Sequence, residues 1–111
     1  MSWADLQMLN LADNKIGSEG AAALSRNTTW NNLRTLNLYN CSRNDEGAVE
    51  LSKNATWTTL QTLDLYNNSI SDKGAVSLGG NKVWINLQKL ELRMNSMALK
   101  ELHHWVKINP G

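Results

Sequence analysis

Twelve residues beginning at Trp30, WNNLRTLNLYNC, return almost unchanged 27 positions later as WTTLQTLDLYNN, beginning at Trp57. The same phase runs along the whole chain. Trp3, Trp30, Trp57 and Trp84 share one offset; Leu6, Leu33, Leu60 and Leu87 the next; then Leu9, Leu36, Leu63 and Leu90; then Leu11, Leu38, Leu65 and Leu92. A period of this length marks stacked repeats, in which a unit too small to bury its own apolar side chains hides them against the next copy. With 111 residues the chain is one domain, 1–111, divided into repeats at about 3–29, 30–56, 57–83 and 84–111.

Two periodicities alternate inside each unit. The L-x-L segment has the period of two expected of a half-buried strand, and predicts short strands near 8–11, 35–38, 62–65 and 89–92. The second half has helical spacing: Ala21 with Leu24, Ala48 with Leu51, Ala75 with Leu78. Ser18, Asn44 or Asp45, and Ser71 or Asp72 are available to cap those helices. Asn27, Asn54 and Asn81 fall just past them, where asparagine can adopt a left-handed C-terminal conformation. Glycine in a helix costs about 1 kcal/mol relative to alanine, so the return of Gly20, Gly47 and Gly74 predicts close packing of each helix. Gly79-Gly80 replaces a polar pair in one unit and should loosen that turn. Parallel strands step by about 4.8 Å and packed helices by about 8–10 Å, so the stack curves with its strands on the inside.

The tryptophans precede the strands at a fixed offset and should turn inward between helix and sheet rather than form a ligand ladder. Trp105, at the offset of Leu24, Leu51 and Leu78, should join the core. The column Asn14, Cys41, Asn68, Asn95 falls where the chain leaves the strand and its peptide groups lose their ladder partners. An inward amide can donate to and accept from those groups, whereas the Cys41 thiol does so weakly. Arg43 interrupts the apolar column Ile16, Ile70, Met97 and should reach the surface.

Together these residues read L-x-x-L-x-L-x-x-N/C-x-I, followed by G-A-x-x-L, and the chain resembles the leucine-rich repeat family, most closely its ribonuclease-inhibitor-like subclass, which also supplies the repeat domains of NOD-like receptors. The resemblance covers all four units. It implies an α/β fold: a right-handed βα solenoid with four parallel strands on the concave face and helices on the convex face. It also implies a protein–protein interaction module whose partner is another protein.

Eleven basic and ten acidic residues, scattered and summing to +1, give no electrostatic footprint for nucleic acid or an anionic membrane. No apolar run is long enough for a membrane span, and the first residues lack the pattern of a secretory signal. A single cysteine allows no internal disulfide and fits a cytoplasmic location. His103 and His104 project about 100° apart on a helix, and with Glu101 they do not make a zinc site. Acceptor patterns for glycosylation at Asn27, Asn40, Asn54 and Asn67 read as by-products of the repeat. No catalytic constellation, phosphate loop, metal or cofactor is expected, so the chain reads as a non-enzyme.

The two ends differ. Leu99, Leu102, Trp105 and Val106 form a last amphipathic helix, capped at Ser96 and stopped by Asn109-Pro110-Gly111, which should close the stack. The first repeat has no equivalent cover. That predicts either a C-terminal segment of a longer array or, as the alternative, a homodimer formed through the exposed first repeat. Positions free for recognition lie on the strands in three columns: Met8, Thr35, Thr62 and Lys89; Asn10, Asn37, Asp64 and Glu91; Ala12, Tyr39, Tyr66 and Arg93. The expected protein-binding surface is Thr35, Asn37, Tyr39, Thr62, Asp64, Tyr66, Lys89, Glu91 and Arg93, with Tyr39 and Tyr66 stacked.

Overall fold

The computed structural model describes residues 5–41, 44–93 and 95. Arg43, Met97, Trp3, Trp105, the histidine pair and the expected capping helix lie outside the described residues. Each three-residue L-centred segment forms a strand: β1 (Met8–Asn10), β2 (Thr35–Asn37), β3 (Thr62–Asp64) and β4 (Lys89–Glu91). They make one parallel sheet in chain order. Three helices connect them, α1 (Gly17–Ser25), α2 (Asp45–Leu51) and α3 (Asp72–Gly79). The register reproduces the sequence period, pairing Leu9 with Leu36, Leu36 with Leu63 and Leu63 with Leu90. The strands are a residue shorter than expected, because the chain begins to turn at the third leucine. The Leu11, Leu38 and Leu65 N–H groups still donate to the carbonyls of Asn37, Asp64 and Glu91, each at 2.9 Å.

The core lies between sheet and helices and fills from the second repeat onward. Leu33, Leu36, Leu38, Leu51, Leu60, Leu63, Leu65 and Leu90 are inaccessible to solvent, whereas their first-repeat counterparts Leu6, Leu9, Leu11 and Leu24 are only partly covered. Trp57 is 0% exposed and Trp84 5%, while Trp30 is half-buried. The Trp30 and Trp57 rings stack with centroids 6.2 Å apart and planes 17° apart. An indole buries about 150–250 Å², so each of these contributes at most about 4–6 kcal/mol at roughly 25 cal/mol per Å².

Polar side chains join the repeats at two turns. At the strand exit, Asn68 accepts the Cys41 N–H (2.8 Å) and donates to the Leu38 carbonyl (2.8 Å), both in the preceding repeat. Asn95 does the same one unit on, accepting the N–H groups of Asn68 and Ile70 and donating to the Leu65 carbonyl. Where cysteine replaces asparagine, the Cys41 thiol reaches only the Leu11 and Tyr39 carbonyls, at 3.1 and 3.5 Å.

At the helix exit the structure corrects the sequence reading. Asn27, Asn54 and Asn81 do not have positive φ; among the described residues the left-handed ones are Asp13, Asn40, Asn67 and Ser69, with Gly17. The helices end right-handed at Arg26, Ser52 and Gly80. The three asparagines instead turn their Oδ1 atoms to the N–H groups of Trp30, Trp57 and Trp84, at 2.9–3.0 Å, and to the residue before each. Their Nδ2 groups reach back: Asn54 to the Ser25 carbonyl and Asn81 to that of Ser52, at the end of the preceding helix. Each amide thus positions one indole, and those of Asn54 and Asn81 also satisfy a carbonyl that the helix end leaves without an internal partner, whereas Asn27 Nδ2 donates to the Thr29 hydroxyl.

Helix starts differ as well. Ser18 lies inside α1, which begins at Gly17 after an uncapped Ile16. Asn44 caps α2 by accepting the Gly47 N–H. Ser71 makes no side-chain cap for α3. Asp45, the first residue of α2, supplies that cap from the preceding repeat: its carboxylate accepts the N–H groups of Ser71 (2.8 Å) and Gly74 (3.1 Å) and the Ser71 hydroxyl. Burial opposes ionisation of Asp45. The Ser71 hydroxyl, the two N–H groups and Lys73 outweigh it and hold the carboxyl below its ordinary value.

Gly74 shows why that helix start is small. A Cβ there would lie 2.6 Å from the Asp45 Oδ1 and 3.0 Å from the Ala48 Cβ. Gly74→Ala is expected to cost about 1–3 kcal/mol through overpacking. At Gly80, φ is −80° and a Cβ would meet nothing closer than 3.4 Å, so Gly80→Ala is expected to stabilise by about 0.4–1 kcal/mol through the unfolded chain. Urea unfolding midpoints of the two variants check both signs. Asp45→Ala is expected to lose about 1–3 kcal/mol at neutral pH. The charge-dependent part of that contribution is complete above the ordinary carboxylate value of 3.8 and is lost as pH falls through the lower folded-state value, so the gap between variant and parent should narrow below that ordinary value.

Candidate protein-binding face

The strand register assembles the expected face. Thr35 pairs with Thr62 and Thr62 with Lys89, and Asn37 pairs with Asp64 and Asp64 with Glu91, so the first two columns are continuous across β2, β3 and β4. Beyond the strands the third column holds. The Tyr39 and Tyr66 rings stack with centroids 5.1 Å apart and planes 9° apart, a geometry set by two tyrosines on adjacent parallel segments. Thr35, Asn37, Tyr39, Thr62, Asp64 and Tyr66 are half-buried, and Lys89 and Arg93 are exposed.

The second column serves the backbone as much as any partner. Asn10, Asn37 and Asp64 each accept, through Oδ1, the N–H two residues on, at 2.9, 2.9 and 3.0 Å. These are the local turns that short amide and carboxylate side chains favour. Glu91 makes the same contact with the Arg93 N–H at 3.0 Å. Its carboxylate also receives both arms of the Arg93 guanidinium, Nε at 2.9 Å and Nη2 at 2.8 Å, with Lys89 Nζ at 3.9 Å. Glu91 therefore departs from an outward-facing carboxylate: it is 4% exposed and occupied by Arg93. The bond from Arg93 is the main reason its carboxyl is held below the ordinary value.

A fourth column was not singled out by sequence reasoning. Asp13, Asn40 and Asn67 occupy left-handed backbone at φ of 62°, 51° and 61°. All three are exposed, each directly following a member of the third column, and Asn40 Nδ2 donates to Asp13 Oδ1 at 3.0 Å. Their signal was present in the spacing, since only Asp or Asn fills this offset in the first three units. Both residues tolerate positive φ better than other non-glycine types.

At the exits of α1 and α2 an open groove of about 500 Å³ is lined by Ser25, Arg26, Asn27, Glu50, Lys53 and Thr56. Of its two cations, Arg26 and Lys53, the second pairs with Glu50 at 3.0 Å. Among the described residues no cluster of three or more His, Cys, Asp or Glu could hold a metal ion, and no helix is long and apolar enough to cross a membrane.

Comparison with known proteins agrees with the geometry. The family model described as Leucine Rich repeat matches residues 5–25 and 58–79. Among solved structures, that of "Leiomodin-1 Actin-Binding Site 2 (ABS2)" superposes with a TM-score of 0.61 at 19% identity, covering 85% of this chain. The present chain spans 56% of that one. No curated protein matches. Sheet order and register make the fold a βα solenoid, with strands lining one face and helices the other, and the leucine-rich-repeat model matches within it at the first and third units.

Glu91→Gln is expected to weaken the fork to Arg93 and cost about 1–3 kcal/mol at neutral pH, as a hydrogen bond involving a charged group does. Because the carboxyl sits below its ordinary value of 4.5, its contribution is complete above that value and is lost as pH falls through the lower folded-state value. Parent stability should decline on acidification more steeply than that of the variant, measured as the urea midpoint between pH 2 and 7.

Proposed function

We propose that this solenoid is a protein-binding module that works through its strand face. The observation that carries the reading is the Tyr39–Tyr66 stack, two half-exposed aromatic rings held at 5.1 Å, with Asp64 and Arg93 nearby. Tyrosine and arginine at the centre of a polar rim are the side chains that dominate protein interfaces. A solved structure of the same fold carries an actin-binding site, which supports a protein as the class of partner. The 27-residue period and the G-A-x-x-L helices support the ribonuclease-inhibitor-like subclass; the single cysteine fits a cytoplasmic location, and the sequence offers no catalytic grouping for an enzyme. Glu91 enters the surface as the anchor of Arg93; the contacts to a partner fall to Thr35, Asn37, Tyr39, Thr62, Asp64, Tyr66, Lys89 and Arg93.

Four short strands make a small platform, whereas a stable interface covers about 800 Å² on each side. The first repeat offers a way to enlarge it. Leu6, Leu9, Leu11, Ile16 and Leu24 are only partly covered, which favours further repeats stacking there, the chain acting as the C-terminal segment of a longer array. The same observation supports the second reading, a homodimer through this end. Sedimentation over a range of concentrations separates the two. A dimer abolished by Leu6→Glu supports self-association, and a monomer at all concentrations contradicts it.

For the binding module, the immobilised chain should retain a protein partner that the Tyr39→Ala/Tyr66→Ala pair releases and that Val76→Asp, on the helix side, still holds. Retention indifferent to the tyrosines but lost with Val76→Asp would contradict use of the strand face.

A further inference from the structure

We propose that the strand face carries a seat for a single arginine side chain of the partner, at the first-repeat end of the tyrosine stack. This rests on the protein-binding reading and names the chemistry that its surface selects. The third column runs Ala12, Tyr39, Tyr66, Arg93. The ladder bonds from the Leu11 N–H to the Asn37 carbonyl (2.9 Å) and from the Asp13 N–H to the Tyr39 carbonyl (2.8 Å) carry the register beyond β1, so Ala12 lies level with Tyr39 as Tyr39 does with Tyr66. One face of the Tyr39 ring meets Tyr66, 5.1 Å away and nearly parallel. The position that would continue the stack on the other side bears only a methyl group. It leaves a step one strand spacing deep, floored by Ala12 and walled by an aromatic face.

The charge adjoining the step along the chain is a carboxylate. Asp13, next to Ala12, is exposed, and its carboxylate is oriented by the Asn40 amide, a neutral donor, at 3.0 Å. Asp13 forms no ion pair among the described residues, whose ion pairs are Lys53 with Glu50 and Lys89 and Arg93 with Glu91. Across β1, β2 and β3 the outward residues Met8, Thr35, Thr62, Asn10, Asn37 and Asp64 include no cation. An aromatic face beside an unpaired carboxylate attracts a cation. A planar guanidinium suits a slot of this depth, since it stacks on the ring while its edge N–H groups reach the carboxylate, which an ammonium does not do in one pose.

At the far end of the same column a guanidinium of the chain itself takes the fourth place. Arg93 is exposed, forked onto the Glu91 carboxylate two residues before it, and close enough to Asp64 to be stabilised by its charge. At the near end the chain supplies the ring and the carboxylate but not the cation. The partner supplies it.

The test is a solution titration of the full chain with the peptide acetyl-Gly-Arg-Gly-amide, followed by amide and aromatic NMR shifts, beside the matched lysine and citrulline peptides. The arginine peptide should shift Ala12, Asp13 and the Tyr39 ring saturably, the lysine peptide at least threefold more weakly, and the citrulline peptide not at all. Asp13→Asn keeps a residue tolerant of left-handed backbone and an acceptor for Asn40, and should weaken the response several-fold. Ala12→Tyr should extend the stack into the step and abolish the response with the rest of the spectrum preserved.

The seat is overturned if the arginine peptide leaves these resonances unmoved, if citrulline acts equally, or if the response survives Ala12→Tyr. A lysine response equal to that of arginine overturns the guanidinium assignment. Failure here is distinguishable from failure of the binding module, because partner retention that depends on Tyr66 and Arg93 but ignores Ala12→Tyr removes the seat and keeps the module.

Discussion

A chain that leaves its sheet every 27 residues strands peptide groups in a narrow interior, where an unpaired N–H or carbonyl costs as much as a lost hydrogen bond. The neighbouring repeat supplies what each turn lacks. Asn68 and Asn95 reach back to the strand exits before them, and Asn54 and Asn81 to the preceding helix ends. Asp45 reaches forward to the start of α3. Apolar burial follows the same rule, since the leucines of the second and third repeats are closed off and those of the first are not. Neither the polar nor the apolar requirement is met within one unit, so the stack is the smallest thing that can fold.

This division of labour determines where recognition can sit. The inward columns are spent on core and turns, and the outward ones vary from repeat to repeat. Even there, Asn10, Asn37 and Asp64 each commit one oxygen to the backbone. The tyrosines have no such duty, and their stacking holds two large side chains in fixed orientation before any partner arrives. Less side-chain freedom is then lost on binding, which suits a platform with few residues to spend.

Much of this was legible in the spacing alone. The period gives strand order and register directly, because identical offsets must pair when identical units stack; Leu9, Leu36, Leu63 and Leu90 do so. The asparagine column at the strand exit and the tyrosine pair follow from the same logic. What escaped were choices between geometries that one residue type serves equally well. Asparagine after a helix can take left-handed backbone or point its amide at a neighbouring turn, and Asn27, Asn54 and Asn81 do the second while Asp13, Asn40 and Asn67 do the first. Asn44 and Asp45 were both candidate caps for one helix; the structure uses them for two, the second across the repeat boundary. Glu91 looked like its column mates, but its longer side chain lets it receive the Arg93 fork while still serving the backbone. Such outcomes depend on distances between repeats, which a pattern of letters does not contain.

Amide hydrogen exchange in Asn68→Ala tests the mutual dependence of the repeats most directly. This one side chain of the third repeat holds the Cys41 N–H and the Leu38 carbonyl of the second. If each unit is completed by its neighbour, protection should fall together in both, at Leu36 and Leu38 as well as Leu63 and Leu65, by an amount corresponding to about 1–3 kcal/mol. Loss of protection confined to Cys41, with both strands exchanging as in the parent, would show that the repeats stand independently and would contradict the account.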